Sequence, residues 1–237
     1  MSNRLPETEV ANIAFLPVGQ KRRALEAFER PKSIKGSYEP FRRVFPDAIN
    51  QQFPLFGEGL PQSTWKDLEQ RLRVECRGSQ QLIDMNSAIA QSTFNYATLN
   101  RVSANAIDVV PLRFSSAIVY SFGLEVIVRY PSRAAIVFLD MRRSKNLSTS
   151  GQMFMQSALH HRFRVAYPDF ANLDLEIWRY RDNKERTLIP QALEAELKTY
   201  DEIVSDVLET HAIWESVKRG SGESRRAVGG GGGPLFD

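Results

Sequence analysis

The sequence has one cysteine, few histidines and no long apolar run. Among its 237 residues are the single Cys76 and three histidines, which excludes an internal disulfide and a cysteine-rich zinc site. No stretch approaches the roughly 20 consecutive apolar residues that a membrane helix needs. The first ten residues have no apolar core and no small-residue cleavage site, so we expect no secretion signal. These absences favour a cytoplasmic protein without a membrane partner.

Motifs for nucleotide binding and for common hydrolases are also missing. The sequence contains no GxGxxG, GxxxxGK[ST], HExxH or GxSxG pattern. A run of five glycines at 229–233 has no strand or helix signal around it, so it does not predict a phosphate-binding loop. Nucleotide hydrolysis and the familiar hydrolase mechanisms are therefore disfavoured.

The composition is that of a globular protein with a mild excess of basic residues. Hydrophobic residues make up 42% and charged residues 25%, and the formal net charge is +3. Basic residues occur in short clusters, at 21–23, 42–43, 142–145, 162 with 164, and 225–226. Acidic residues concentrate in the C-terminal third. This asymmetry indicates either one face for an anionic ligand or a solvated surface of mixed sign.

The chain divides into three parts by sequence pattern. Residues 1–62 contain a proline every few positions, which predicts an irregular, proline-broken arm that packs on the domain or docks on a partner. Residues 63–219 predict a single α+β domain. Residues 220–237 are rich in glycine and predict a disordered tail.

Within the domain, the apolar spacing predicts helices, then strands, then helices again. Two helices begin near Ser63 and Ser79. Three β-like runs follow at 107–120, 124–130 and 134–141, and the last is apolar throughout, so we place it at the centre of the sheet. A helix at 151–166, a strand at 173–180 and a long helix from Pro190 to about 217 complete the pattern. The predicted fold is α+β, a mixed β-sheet flanked by helices with a long C-terminal helix.

One short motif within 63–180 has a chemical interpretation. Glu125 lies on the second strand, and Asp140-Met141-Arg142 lies at the end of the third. This order of elements and acids resembles the restriction-endonuclease-like PD-(D/E)XK nuclease superfamily. The resemblance implies that Glu125 and Asp140 bind Mg²⁺ beside a scissile phosphate and that Arg142 takes the place of the family's lysine. The proline expected before the first acid is missing, and arginine stays protonated, so it can hold a phosphate but cannot act as a base.

Two points about this candidate site stay open in the sequence. A four-residue turn between the strands would place Glu125 opposite Asp140, whereas a three-residue turn would place them on opposite faces. The alternative is that both acids are strand-end residues in contact with arginines. The basic residues predicted to contact nucleic acid are Arg142, Arg143, Lys145, Arg162 and Arg164.

The functional prediction is a nucleic-acid-acting protein, with DNA favoured over RNA. It is either a Mg²⁺-dependent endonuclease or a degenerate nuclease-like subunit of a DNA-processing or mobile-element system. The first alternative is a non-enzymatic subunit that binds partner proteins and contacts nucleic acid; the second is a small-ligand enzyme of unrecognised type. A protein partner would dock on the N-terminal arm or on the C-terminal Pro234-Leu235-Phe236-Asp237.

Overall fold

The computed structural model describes residues 5–29, 37–52, 61–143 and 146–229, with side chains described as far as residue 220. The helices are α1 (Glu7–Ala14), α2 (Val18–Glu29), α3 (Glu39–Ala48), α4 (Trp65–Glu75), α5 (Gln80–Leu99), α6 (Thr149–Leu159) and α7 (Tyr200–Gly229). The strands are β1 (Gln51–Gln52), β2 (Ser103–Ala106), β3 (Leu112–Arg113), β4 (Val119–Tyr120), β5 (Val126–Arg129), β6 (Ala134–Asp140), β7 (Asp174–Tyr180) and β8 (Leu188–Ala192). The α+β class with a mixed sheet and a C-terminal helix is confirmed.

The main sheet has six strands in the order β1-β2-β5-β6-β7-β8. The pairs β1–β2 and β6–β7 are parallel, and the other neighbours are antiparallel. Strands β3 and β4 form a separate two-stranded hairpin. The predicted strands at 124–130 and 134–141 contain β5 and β6, which pair antiparallel.

Strand β6 is buried on both faces, as its uninterrupted apolar sequence predicts. Ile136 and Phe138 point to a first core beneath α1, α6 and α7, whereas Val137 and Leu139 point to a second core beneath α3, α4 and α5. Successive side chains of a strand alternate between faces, so a strand covered on both sides needs apolar residues at every position. The sheet thus lies between two helical layers.

The N-terminal arm forms three helices that are part of both cores. Val10 and Leu25 are fully buried in the first core, and Phe41 in the second. Two of the prolines begin helices here, since Pro6 is the N-cap of α1 and Pro40 lies in the first turn of α3. Those are positions where a missing backbone N–H costs nothing.

Hydroxyl caps fix the beginnings of three later helices. Thr64 accepts a hydrogen bond from the Asp67 N–H, Ser79 from Leu82 and Ser148 from Gly151. The cap predicted at Ser63 is therefore one residue later. Helix α5 also continues through the polar stretch after residue 92 to Leu99, where no element was assigned from the sequence.

The predicted start of the last helix at Pro190 is wrong. Pro190 lies in the edge strand β8, and α7 begins ten residues later at Tyr200. An edge strand accepts proline because one side of it has no strand to pair with. Helix α7 extends to Gly229, and residues 230–237 of the predicted disordered tail lie outside the described residues. No helix in the described ranges is both long enough and apolar enough to cross a membrane.

Candidate functional site

The Asp140 carboxylate at the end of β6 is buried and bound by protein groups. Its oxygens accept hydrogen bonds from Arg142 Nε at 2.8 Å and Arg142 Nη2 at 3.1 Å. The Leu147 N–H donates a third, at 2.9 Å. The side chain of Asp140 is 0% exposed. This arrangement ties the chain after β6 back to the strand end, and Asp140 and Arg142 are the two predicted catalytic residues that the fold brings together.

Glu125 lies apart from this pair and has an arginine of its own. In the β5–β6 register Arg129 is opposite Ala134, but this register does not continue to residue 125. The Leu124 N–H donates to the Val137 carbonyl at 3.0 Å, so the residue just before Glu125 is bonded three residues short of Asp140. Glu125 also lies just before the first residue of β5. Its Oε1 accepts from Arg162 Nη2 at 2.8 Å. The structure thus pairs each acid with a different arginine, as the alternative interpretation of the motif expects.

Arg162 is a fully buried cation. Its guanidinium donates to the carbonyl oxygens of Phe122 at 2.8 Å, Val110 at 3.2 Å and Val109 at 3.4 Å, besides Glu125. Its side chain is 0% exposed, whereas Glu125 is 56% exposed. Arg162 therefore joins the segment before β3 to the segment before β5, and no part of it faces an external ligand.

The other predicted nucleic-acid contacts differ in their environments. Arg164 donates to the Leu173 carbonyl, and burial lowers its pKa. Arg143 is exposed. Lys145 lies outside the described residues. These side chains have different local partners, and the predicted catalytic, metal and nucleic-acid roles of the named residues stay predictions from the sequence. Across the described ranges, no group of three or more His, Cys, Asp or Glu side chains is placed to hold a metal ion.

A second candidate site lies at the sheet edge, where the arm meets β1. Asn50 precedes β1 in the left-handed conformation, with φ of 52°, which asparagine adopts more readily than most residues. Gln52 Nε2 donates to Asn50 Oδ1 at 2.7 Å and to its carbonyl at 3.3 Å. The last described residue of β1 is thus held in a defined orientation.

Residues 53–60, which follow β1, lie outside the described residues, but both of their neighbours are placed. Gln51 and Pro61 line one pocket of about 330 Å³, together with Asp47 of α3 and Arg71 of α4. Described residues on both sides of this eight-residue segment therefore line the same pocket. In sequence the segment begins Phe53-Pro54-Leu55-Phe56, an unusual concentration of large apolar residues for a connection at a sheet edge.

Comparison with known proteins identifies the class. Residues 8–225 match the model of a family described as the sliding clamp-binding bacterial toxin SocB. The match covers most of the chain, and this protein belongs to that family. It is also 27% identical over 236 residues to the DNA replication inhibitor toxin SocB of Caulobacter vibrioides, covering 97% of this chain and 96% of that protein. No solved structure matches the chain.

The family match overturns the nuclease hypothesis. The resemblance to the PD-(D/E)XK superfamily is wrong, and so is the functional prediction of a nucleic-acid-acting, Mg²⁺-dependent endonuclease. An acid on one strand followed by acid-x-base on the next is a short pattern that occurs by chance in many hairpins. In this protein the two acids form ion pairs with Arg142 and Arg162. A nucleic-acid partner is likewise unsupported, and the alternative of a protein-binding chain is closer to the family's description.

The sequence predicts two places at which a protein partner would dock. They are the arm and the C-terminal tail, and the prediction does not single out Phe53-Pro54-Leu55-Phe56. A signal was available in the sequence, because Pro-Leu-Phe occurs at 54–56 and again at 234–236.

Proposed function

We propose that this protein binds a bacterial sliding clamp and inhibits DNA replication through that contact. The observation that carries the proposal is the family match over residues 8–225. The printed name of the Caulobacter vibrioides relative supports the second half, since that protein is called a DNA replication inhibitor toxin. Its site of action would then be the cytoplasm, where the replication machinery works.

Within this proposal, the segment that begins at Phe53 is the contact with the clamp. It carries Phe53, Leu55 and Phe56 within four positions, and the last residue before it is oriented by Asn50. The segment follows the edge strand β1 in the sequence. Short apolar segments can bind a partner's groove through their backbone and alternate side chains. Aromatic side chains in such segments supply much of the binding energy.

The C-terminal tail is the competing docking segment in the same chain. Its Pro234-Leu235-Phe236 repeats the tripeptide of the arm, but the matched region ends at residue 225, before this tripeptide. The arm segment lies inside the matched region, which favours the arm as the contact that defines the family.

The two segments offer a matched pair of variants. The purified full chain is titrated against the sliding clamp of the same organism, with binding measured by fluorescence anisotropy or calorimetry. We expect Phe56→Ala to raise Kd by about 30-fold or more, the scale of a central aromatic contact. Phe236→Ala, which truncates the same tripeptide in the tail, is expected to leave Kd within about twofold.

Other results would contradict either the proposed function or the choice of the arm segment as the contact. No binding of the unaltered chain to the clamp would contradict the proposed function itself. Binding that is lost in Phe236→Ala but kept in Phe56→Ala would assign the contact to the tail. A clamp-dependent primer-extension assay supplies the second readout, in which the unaltered chain inhibits synthesis and Phe56→Ala does not.

A further inference from the structure

The chain on both sides of 53–60 is attached to one corner of the fold, residues 97–104, where α5 turns into β2. On the entry side, β1 pairs in parallel with β2. The Ala104 N–H donates to the Asn50 carbonyl at 3.4 Å, and Asn50 Oδ1 accepts from Gln52, the last described residue before the segment. The entry to the segment is therefore held by β2 and by the Asn50 side chain.

The exit from the segment is attached to the same corner by a side chain. Gln62 Nε2 donates to Thr98 Oγ1, in the last turn of α5, at 3.0 Å. Thr64 then caps α4, and at the start of that helix Trp65 packs against Phe94 of α5, with ring centroids 5.9 Å apart. The chain that follows the segment is thus held against α5.

The corner itself is a tight turn that is bonded to the end of the helix. Arg101 adopts the left-handed conformation, with φ of 50°, and the Val102 N–H donates back to the Ala97 carbonyl at 2.8 Å, which is the hydrogen bond of a Schellman motif. Ala97, Val102 and Ala104 are buried in the second core. One rigid support therefore carries the attachments on both sides of the segment.

We propose that the α5–β2 corner presents the clamp-binding segment, with Asn50 and Thr98 as its positioning residues. This inference rests on the proposed function and adds the residues that orient its contact. A segment with both ends fixed loses less conformational entropy on binding than one with a free end. Loss of either side-chain attachment should therefore weaken clamp binding, although both attachments are made within this chain.

Paired variants at Asn50 separate its side chain from its backbone turn. Asn50→Gly keeps the left-handed conformation accessible but removes the Oδ1 acceptor, so we expect it to raise Kd for the sliding clamp by about three- to tenfold. Asn50→Asp keeps an acceptor in the same place and should stay within about twofold. The full chain is titrated as for Phe56→Ala, and Tm without clamp is measured alongside. Equal weakening by both variants would overturn the role of the side chain.

A second pair tests the exit at Thr98, which is exposed, so that its substitution leaves the core unchanged. Thr98→Val removes the hydroxyl that accepts from Gln62 and is expected to raise Kd by a similar factor with Tm unchanged. Thr98→Ser keeps the hydroxyl and should bind as the unaltered chain does. Weakening by Thr98→Ser equal to that by Thr98→Val would contradict the attachment, and this pair decides the matter if Asn50→Gly does not fold.

A double variant distinguishes positioning from direct contact with the clamp. If Asn50 acts through the segment, the factor lost in Asn50→Gly should be smaller in a Phe56→Ala background. An undiminished factor would mean that Asn50 touches the clamp itself, and the positioning role would fail.

Failure of this inference differs from failure of the proposed function. An unaltered chain that does not bind the clamp contradicts the proposed function. Binding that is lost in Phe56→Ala but unchanged in both Asn50→Gly and Thr98→Val leaves the proposed function standing and overturns the inference alone.

Discussion

At the scale of single residues, Arg162 is a buried charge that stabilises irregular backbone and contacts no ligand. Its guanidinium binds three carbonyl oxygens that no strand or helix pairs, and an exposed Glu125. A buried guanidinium is stable only when its N–H groups are used, and a buried carbonyl only when it accepts. Arg162 satisfies both requirements for the irregular chain between β2 and β5.

Substitution of this residue separates its carbonyl contacts from its ion pair. We expect Arg162→Ala to lower the free energy of unfolding by about 3 kcal/mol or more, because several buried acceptors lose their donors at once. Glu125→Gln removes only a half-exposed partner and should cost less than about 1 kcal/mol. Denaturant titration of both variants measures the difference. Equal losses would mean that the ion pair, and not the carbonyl contacts, is what stabilises the loop.

At the scale of elements, the contact between α1 and α6 depends on a glycine. A Cβ placed on Gly151 would overlap Asn12 Oδ1 of α1. That oxygen accepts from the Ser148 N–H at 2.9 Å, and so joins α1 to the first turn of α6. The absent side chain at 151 is what lets the two helices approach.

Two glycine substitutions should therefore change stability in opposite directions. Gly151→Ala is expected to destabilise by about 1–3 kcal/mol, since the overlap with Asn12 outweighs the helical preference for alanine. Gly19→Ala, in α2 with no atom near its added Cβ, should stabilise by up to about 1 kcal/mol. A double variant with Asn12→Ala should recover most of the loss at residue 151. Thermal unfolding of the three variants tests this, and an unchanged Gly151→Ala would contradict it.

How far the sequence determines these elements depends on how local each signal is. The β5–β6 hairpin and the central position of β6 were predictable because Pro131 and an unbroken apolar run act within a few residues. Pro190 was misassigned because proline fits the first turn of a helix and an edge strand equally well, and strand order decides between them. The offset between Glu125 and Asp140 depends on hairpin register, which the turn sequence does not fix. The proposed docking segment depends on a partner, and residue periodicity holds no information about a partner.

At the scale of the whole molecule, the arm and the sheet domain share two cores. Helices α1 and α2 complete the first core, and α3 completes the second. Because one sheet separates the cores and β6 contributes to both, loss of packing in either layer exposes the other side of the same strand. We expect the two layers to unfold together.

A pair of leucines tests this coupling. Leu25→Ala, in the fully buried face of α2, should cost about 2–5 kcal/mol and keep a single unfolding transition. Leu99→Ala, at a position 84% exposed on α5, should change stability by no more than about 0.5 kcal/mol. Tryptophan fluorescence and far-UV circular dichroism are followed in the same denaturant series. Transitions at different midpoints in Leu25→Ala would show that the arm unfolds independently.

Because β1 and β6 occupy different positions in the sheet, their backbone amides are expected to exchange with deuterium at different rates. The β6 amides lie between β5 and β7 with a core on each face, so they exchange only when the whole molecule opens. The two-residue β1 pairs with one neighbour at the edge, and its amides exchange through local fraying. A partner that docks beside β1 and blocks exchange there would lower the exchange rate in proportion to the fraction of molecules left unbound, while β6 reports the global stability. One labelling experiment on the unaltered chain therefore measures both quantities without a mutation.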